Sequence, residues 1–513
     1  MSSSSTRPTI SAVLIVKDEE DVLDLSLAAV AWVDEIVVYD TGSTDATREI
    51  AGLHTPHVIE GYWDDDFGAA RNRAIAHATS EWILVIDADE VFEGDTAHLR
   101  RQLGARATNL FRVSVEDTGE AGVLDAPTVT GRIFRRTEFA YVGRLHEQLT
   151  LIDPRTPSAA ETMLHVHIKH SGYSKAAIVK HDKGRRNVDI ARRDLEEALV
   201  AGATAQALDI LRINLARALG MAGEHDEALV IADLVRANGI SAPHAMAQLA
   251  TSAVGCAAGL GLDDAVDEWL TVWEESDYSP VWSRAVRVRA LAARGKYQEA
   301  LDILDQLPTT TVDAASRRFH KYELAGFEVS ALLATGRRRA AARAATETVR
   351  SGHVSVGPTE LARMFADDVQ LESYVAAIPD AVWRQHAVWC VREASAESIR
   401  FLFTMADVRG GDVTALLCLA RLAPELGIEE LAVCAMAVRR AGLAEHCPLV
   451  AVSTDTDAAP GRRAVAAAMA LSIYGDDRAV PGLEAALAAV APEDEADVLN
   501  QLEILAPGLV STT

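Results

Sequence analysis

Between Thr9 and His170 the apolar positions fall in short continuous runs separated by helical patterns. Ile10–Val16 is apolar at every position but Ser11 and predicts a buried strand. Asp21–Val33 carries Val22, Leu25, Ala29 and Trp32 near one face and predicts a helix. Glu35–Tyr39 predicts a second strand, Thr44–Ala51 a helix that Ser43 can cap, and His57–Glu60 a short strand. Phe67–Ala78 predicts a helix and Trp82–Ile86 another apolar strand. Asn109–Val115, Arg132–Phe134 and Leu164–His170 are further strands. Such alternation predicts an α/β domain with a mostly parallel, Rossmann-like sheet and helices on both faces. Ligands of such sheets bind beyond the carboxyl ends of the strands. The polar clusters lie there, after Val16, Tyr39 and Ile86.

From about Tyr173 Ala-rich helical patterns replace the strand-like runs. Gly223-Glu224-His225-Asp226-Glu227-Ala228-Leu229 resembles Gly295-Lys296-Tyr297-Gln298-Glu299-Ala300-Leu301, with Leu262-Asp263-Asp264-Ala265-Val266 between them. Ala228, Ala265 and Ala300 are 37 and 35 residues apart, and Gly336-Arg337-Arg338-Arg339-Ala340-Ala341 is a looser echo. This spacing predicts an all-α region of TPR-like helix pairs, although the signature Trp and Pro positions of that repeat are mostly missing. Beyond residue 350 the pattern stays helical without a clear period. The expected organisation is a disordered start (1–8), an α/β domain (9–185), TPR-like helices (186–350) and a C-terminal helical region (351–513).

Composition narrows the function classes. A net charge of −26 over 513 residues argues against nucleic acid, whose phosphates need clustered Lys and Arg. One basic cluster exists, Lys180-His181-Asp182-Lys183-Gly184-Arg185-Arg186; it reads as a solvated helix face, with support of a bound diphosphate as the sharper reading. Cys256, Cys390, Cys418, Cys434 and Cys447 form no C-x-x-C pair, which suits reduced thiols in a cytoplasmic protein. The Ser-rich start has no apolar core for a secretory signal, and no apolar run approaches the roughly 20 residues of a membrane span.

The candidate chemistry begins with Asp87-Ala88-Asp89-Glu90. Two carboxylates at i and i+2 beyond a buried strand offer hard oxygen ligands to Mg²⁺ or Mn²⁺, though acidic turn residues are common for structural reasons too. Arg71, in Trp63-Asp64-Asp65-Asp66-Phe67-Gly68-Ala69-Ala70-Arg71-Asn72, either contacts a phosphate or nucleotide or pairs with the preceding aspartates. Asp40 either accepts a hydrogen bond from a base or ribose or caps the Thr41–Asp45 turn. Glu147, after His146, is a candidate general base or a solvated carboxylate. His165 and His167 share one face of their strand while His170 lies on the other, and His170 is the candidate metal ligand.

Taken in order, Val16-Lys17-Asp18-Glu19-Glu20, Asp40-Thr41-Gly42-Ser43-Thr44-Asp45, Trp63 to Asn72, Asp87-Ala88-Asp89-Glu90, Gly143…His146-Glu147 and His170…Gly172-Tyr173 resemble family 2 glycosyltransferases. The branch is similar to lipopolysaccharide core glycosyltransferases and SunS-type peptide S-glycosyltransferases, the latter also carrying TPR-type helices. The likeness covers about Thr9–Arg193. One departure is Asp18, where the branch usually has Asn; it adds charge beside the nucleotide.

The resemblance implies a GT-A fold, a nucleotide-diphosphate sugar donor (UDP by family habit) and Mn²⁺ or Mg²⁺. Residue by residue it implies that Asp40 contacts the base, Glu19 and Arg71 line the nucleotide pocket, and Asp87 lies near the ribose. Asp89 and His170 would hold the metal, and Glu147 would be the base of an inverting transfer to a hydroxyl or thiol. A peptide or protein acceptor is the first expectation. A glycan or small natural product, with the helices serving homodimerisation, is the second, and a non-catalytic helical scaffold the third. A nucleotidyltransferase would show a Gly-rich phosphate loop after the first strand, and Ile10–Asp24 has none.

Overall fold

The computed structural model describes residues 7–104, 108–117, 128–170, 183–239, 243–277, 280–313, 317–365 and 367–507. The Ser-rich start to Thr6, Ser171-Gly172-Tyr173 and Lys180-His181-Asp182 lie outside the described residues. The chain divides into two compact units, residues 1–290 with 307–320 and residues 291–306 with 321–513.

The first unit opens with β1 (Ile10–Val16), α1 (Leu23–Ala29), β2 (Glu35–Asp40), α2 (Thr47–His54), β3 (Val58–Glu60), α3 (Phe67–Ala76) and β4 (Trp82–Val85). There follow β5 (Glu90–Gly94), α4 (Thr96–Leu103), β6 (Leu110–Asp117), β7 (Thr128–Arg135), β8 (Phe139–Val142), β9 (Gln148–Leu151) and β10 (Ala160–His170). One sheet runs β3-β2-β1-β4-β7-β6-β10-β5, and β8 and β9 form a separate hairpin. The first four strands are parallel; β7 runs against β4 and β6, and β5 against β10. The expected mostly parallel α/β sheet is present, with antiparallel pairing in its far half.

Apart from Ser11, which bonds Glu35, β1 is apolar without alternation because both its faces are covered. Ala12, Leu14 and Val16 enter a core with Leu23 and Leu27 of α1, while Val13 joins Val37, Val85 and Ala74 of α3 on the other side. The ends differ from expectation at two places. The helix from Asp21 to Val33 is confined to Leu23–Ala29. Ser43 does not cap α2: the helix starts at Thr47, whose N–H donates to Asp45 Oδ1 at 3.0 Å, and Ser43 bonds Asp40 instead. Neither β5 nor α4 was anticipated.

The helical part begins with α5 (Lys183–Val200), α6 (Ala205–Ala222), α7 (His225–Asn238), α8 (Pro243–Gly259), α9 (Asp263–Ser276), α10 (Val281–Ala293) and α11 (Tyr297–Leu304). After a short ladder of β11 (Thr310–Val312) with β12 (Arg318–His320), which the sequence pattern did not signal, come α12 (Ala325–Ala334) and α13 (Arg338–Arg350). The repeat has a local cause. Gly223, Gly261, Gly295 and Gly336 all take positive φ, and each separates a helix from its successor: α6 from α7, α8 from α9, α10 from α11, α12 from α13. Ala228, Ala300 and Ala341 then bury fully in the second helix of each pair, while Ala265 is half-buried. Helices continue from Pro358–Met364 to Glu495–Leu505. The five cysteines are unpaired, and all but Cys418 are buried. Among the described residues no helix is long and apolar enough to cross a membrane.

Candidate active site at the strand ends

Two of the sequence motifs turn out to be halves of one structure. The loop after β1 and the loop after β2 are stitched together by their own side chains. Asp18 N–H donates to Ser43 Oγ (2.9 Å), Glu19 N–H to Thr47 Oγ1 (2.8 Å) and Glu20 N–H to Asp45 Oδ2 (3.2 Å). In return Thr44 N–H donates to Asp18 Oδ1 (2.7 Å) and Ala46 N–H to Glu20 Oε2 (2.9 Å). Asp18 sits at φ 54°, a left-handed conformation that Asp and Asn tolerate better than other side chains. Its departure from the Asn of similar sequences therefore keeps the backbone, and one of its oxygens is committed to Thr44. Asp40 is 2% exposed and accepts from Ser43 N–H and Oγ, so its carboxylate is engaged in the turn.

Above these loops lies a cavity of about 560 Å³, within the range of small-molecule sites. Glu19, Arg71, Asp87, Asp89 and His170 line it, together with Asp18, Thr41, Trp63 and Phe67. Asp40 and Glu147 do not: Asp40 stands behind Thr41, and Glu147 stands behind Arg71.

The acidic motif is set in a chain of alternating charges. Glu147 Oε1 accepts from Arg71 Nε at 2.6 Å, and Arg71 Nη2 lies 2.8 Å from Asp87 Oδ1. Asp87 Oδ2 is 3.6 Å from Arg132 Nη1, and Arg132 Nη2 is 2.6 Å from Glu90 Oε1. Burial alone would raise the Asp87 pKa, but Arg71 and Arg132 outweigh it and hold the carboxyl below its usual range. Glu90, 1% exposed, is pushed up to about 7 by burial against the opposing pull of Arg132. Its role is positional: Glu90 Oε2 accepts the Asp87 N–H at 2.8 Å, fixing the turn that carries both aspartates. Arg132 was missed by the sequence reading, because nothing in β7 marks it apart from its strand neighbours.

Asp89 and His170 converge. His170 Nε2 is 3.4 Å from Asp89 Oδ1, and their side chains are 14% and 10% exposed. They arrive from different elements, since β10 ends at His170 opposite Glu90 of β5. His167 is turned away to Glu93, as the strand alternation predicts. A carboxylate and an imidazole on one cavity wall fit a divalent cation. Among the described residues no group of three or more His, Cys, Asp or Glu is placed to hold a metal. A cation at Asp89 and His170 would need further oxygen ligands.

The Trp63–Asn72 segment is accounted for residue by residue. Asp66 caps α3 through Ala69 N–H, Asp65 accepts from the Trp63 indole and pairs with Arg193, and Asp64 pairs with Arg73. The surface ion pair weighed for Arg71 thus belongs to Arg73. Asn72 pairs with both backbone groups of Tyr141, holding α3 against β8. Gly68 permits that approach, because a Cβ there would lie 2.6 Å from the Gly143 carbonyl oxygen.

His146 adopts φ 54°, and burial, aided by Arg217, pushes its pKa down to about 3. An unfolded His titrates near 6.5, so this group contributes stability that is present above pH 6.5 and lost as pH falls toward 3. At pH 5 the loss from this group is about 2 kcal/mol. The substitution His146→Asn suits the left-handed backbone and cannot titrate. Its denaturant midpoint should therefore fall less between pH 7.5 and 5 than that of the wild type. An identical fall in both proteins would show that His146 is not the source.

The remaining wall is helical. Arg186 and Asn187 of α5 and Met221 of α6 face the same cavity. Gly184 lets these helices meet, since a Cβ there would lie 2.7 Å from the Ala222 Cα. Leu145, Val188, Ala191, Leu215 and Leu219 form one buried cluster against which Trp63 and Phe67 pack. The basic cluster is accordingly not uniform: Arg185 is exposed, whereas Arg186 is half-buried and stacks on Phe67 with its Cζ 5.1 Å from the ring centre.

Residues 11–105 match the family model described as Glycosyl transferase family 2. The chain is similar to a TPR repeat-containing protein of Synechococcus elongatus, 37% identical over 186 residues, which cover 34% of this chain and 45% of that protein. It is also similar to the SPbeta prophage-derived glycosyltransferase SunS of Bacillus subtilis, 30% identical over 197 residues, which cover 37% of this chain and 46% of SunS. The chain thus spans just under half the length of these curated relatives. Among solved structures, S. aureus TarS aligns at 14% identity and a TM-score of 0.28, covering 57% of this chain and 54% of that one.

Proposed function

From the premise that the chain carries a family 2 glycosyl transferase domain, we propose that the protein is an inverting, metal-dependent glycosyltransferase. It moves a sugar from a nucleotide-diphosphate donor, UDP-linked by family habit, to a hydroxyl or thiol of a peptide or protein. Residues 9–185 form the donor domain, and the TPR-like helices present the acceptor, as helical arrays do for peptides. The unpaired thiols support a reducing, cytoplasmic setting.

The observation that carries this reading is the convergence of Asp89 and His170 in a cavity shared with Asp87, Arg71 and Glu19. Asp89 and His170 are the residues that would hold the cation. A bound Mn²⁺ or Mg²⁺ supplies positive charge to the departing diphosphate. Asp87, fixed by Arg71 and Arg132, is oriented toward the ribose, and Glu19 lines the nucleotide pocket. Asp40, assigned to the base, acts there through the turn after β2, where it accepts from Ser43 N–H and Oγ. Glu147, with Oε1 held by Arg71, uses its second oxygen to take the acceptor proton as the nucleophile attacks the anomeric carbon.

A thermal-shift screen of nucleotide sugars with Mn²⁺ or Mg²⁺ tests the donor reading. A true donor should raise the wild-type melting temperature by mass action, and Asp89→Asn should lose most of the metal-dependent part of that shift. No shift with any nucleotide sugar, or an equal shift in the variant, would sink the assignment.

A further inference from the structure

Arg186 is the feature of the cavity that the donor reading leaves unused. It belongs to the helical part of the first unit, yet its side chain reaches the cavity that the strand-end loops enclose. Its guanidinium is held by the Phe67 ring on one side and by two long contacts, Nε and Nη2 each 3.4 Å from Asn187 Oδ1. Phe67 is itself seated against Trp63, with ring centres 4.7 Å apart. Among the described residues no carboxylate forms an ion pair with Arg186, and Glu19 and Asp65 act on it only at longer range. Arg71, the other guanidinium on the cavity, has both Asp87 and Glu147 in contact.

The contrast is chemical. A guanidinium stays charged, and its planar fork matches phosphate oxygens. A half-buried cation without a carboxylate is costly unless an anion completes it. The Gly184–Ala222 contact and the buried Val188 and Ala191 fix α5, so Arg186 is held in place before any ligand arrives.

Resting on the donor reading above, we propose that Arg186 is a donor-positioning residue, binding the diphosphate from the helical wall of the cavity. Asp89 and His170 serve the same diphosphate through the cation, so the phosphates are held between two sources of positive charge. The donor site is then shared between the α/β domain and the first TPR-like helices.

Calorimetric titration of the full chain with UDP and UMP in Mn²⁺ tests this, with the GDP/GMP and ADP/AMP pairs run alongside. Arg186→Gln should weaken the nucleoside diphosphate roughly 10- to 100-fold, the usual scale for a charge-assisted hydrogen bond, and weaken the monophosphate less. The affinity step from monophosphate to diphosphate therefore shrinks. Arg186→Lys should restore part of the step, and Arg185→Gln, at the exposed neighbour, should leave it intact. A variant that loses both affinities in equal proportion, or neither, overturns the role of Arg186 alone. A wild-type chain that binds none of the diphosphates overturns the donor reading and this proposal with it.

Discussion

Glu147→Gln should keep donor binding and lose sugar transfer by about 10²- to 10⁴-fold, the usual range for general-base assistance. The geometry makes the two effects separable. Glu147 does not line the cavity, so its charge is not a donor contact, and Gln retains an oxygen to accept from Arg71 Nε at the 2.6 Å position. Arg71 and Asp87 thus stay in place, and what disappears is the capacity to hold a proton. Donor affinity by titration and turnover by mass spectrometry of the product read the two sides independently. Near-full turnover in the variant would remove Glu147 from the mechanism. Loss of donor affinity in step with turnover would make it a structural partner of Arg71 only.

Arg71→Ala should lower stability as well as donor affinity. Arg71 is 9% exposed and neutralises two carboxylates at once, Glu147 largely buried and Asp87 partly so. Removing one partner of a buried ion pair leaves uncompensated charge and typically costs about 3–5 kcal/mol. The variant should show that loss in urea unfolding of the first unit at pH 7.5. The penalty should shrink on acidification, because Arg71 helps hold the Asp87 carboxyl below its usual range and that stabilisation is lost once Asp87 protonates. Arg71→Lys should recover charge without the two-directional reach of the guanidinium, and so recover only part. A loss below 1 kcal/mol would mean that the charge chain from Glu147 to Glu90 is not held together by Arg71.

The parts of this picture that the sequence carried are those with local causes. β1 was legible end to end because a strand covered on both faces is apolar at nearly every position, Ser11 excepted. The glycine-marked turns at 223, 295 and 336 were legible because each glycine recurs before a short charged helix start, whereas Gly261 is identified by its positive φ. Asp89 and His170 were paired through the family likeness, and the strand alternation kept His167 apart from His170. What escaped depends on contacts between distant segments. β5 starts at the last residue of the acidic motif and is paired only because β10 returns beside it. Arg132 is one basic residue in an ordinary strand until the sheet order brings it beneath Asp87 and Glu90. Arg186 read as surface because its helix periodicity carries no information about Phe67, more than a hundred positions earlier in the chain. Asp40 shows the converse: its motif was conspicuous, but the carboxylate that makes it so is committed to Ser43.

The reciprocal bonds between residues 18–20 and 43–47 have a mechanical consequence. Neither loop can open alone, because each supplies the donors that the other's acceptors require. The floor of the donor cavity therefore has a single opening equilibrium rather than two, although its halves lie a helix and a strand apart along the chain. A substitution in one half is transmitted to the other as a change in shared local stability. Rigidity in this floor then leaves the adaptable part of the cavity to the elements above it.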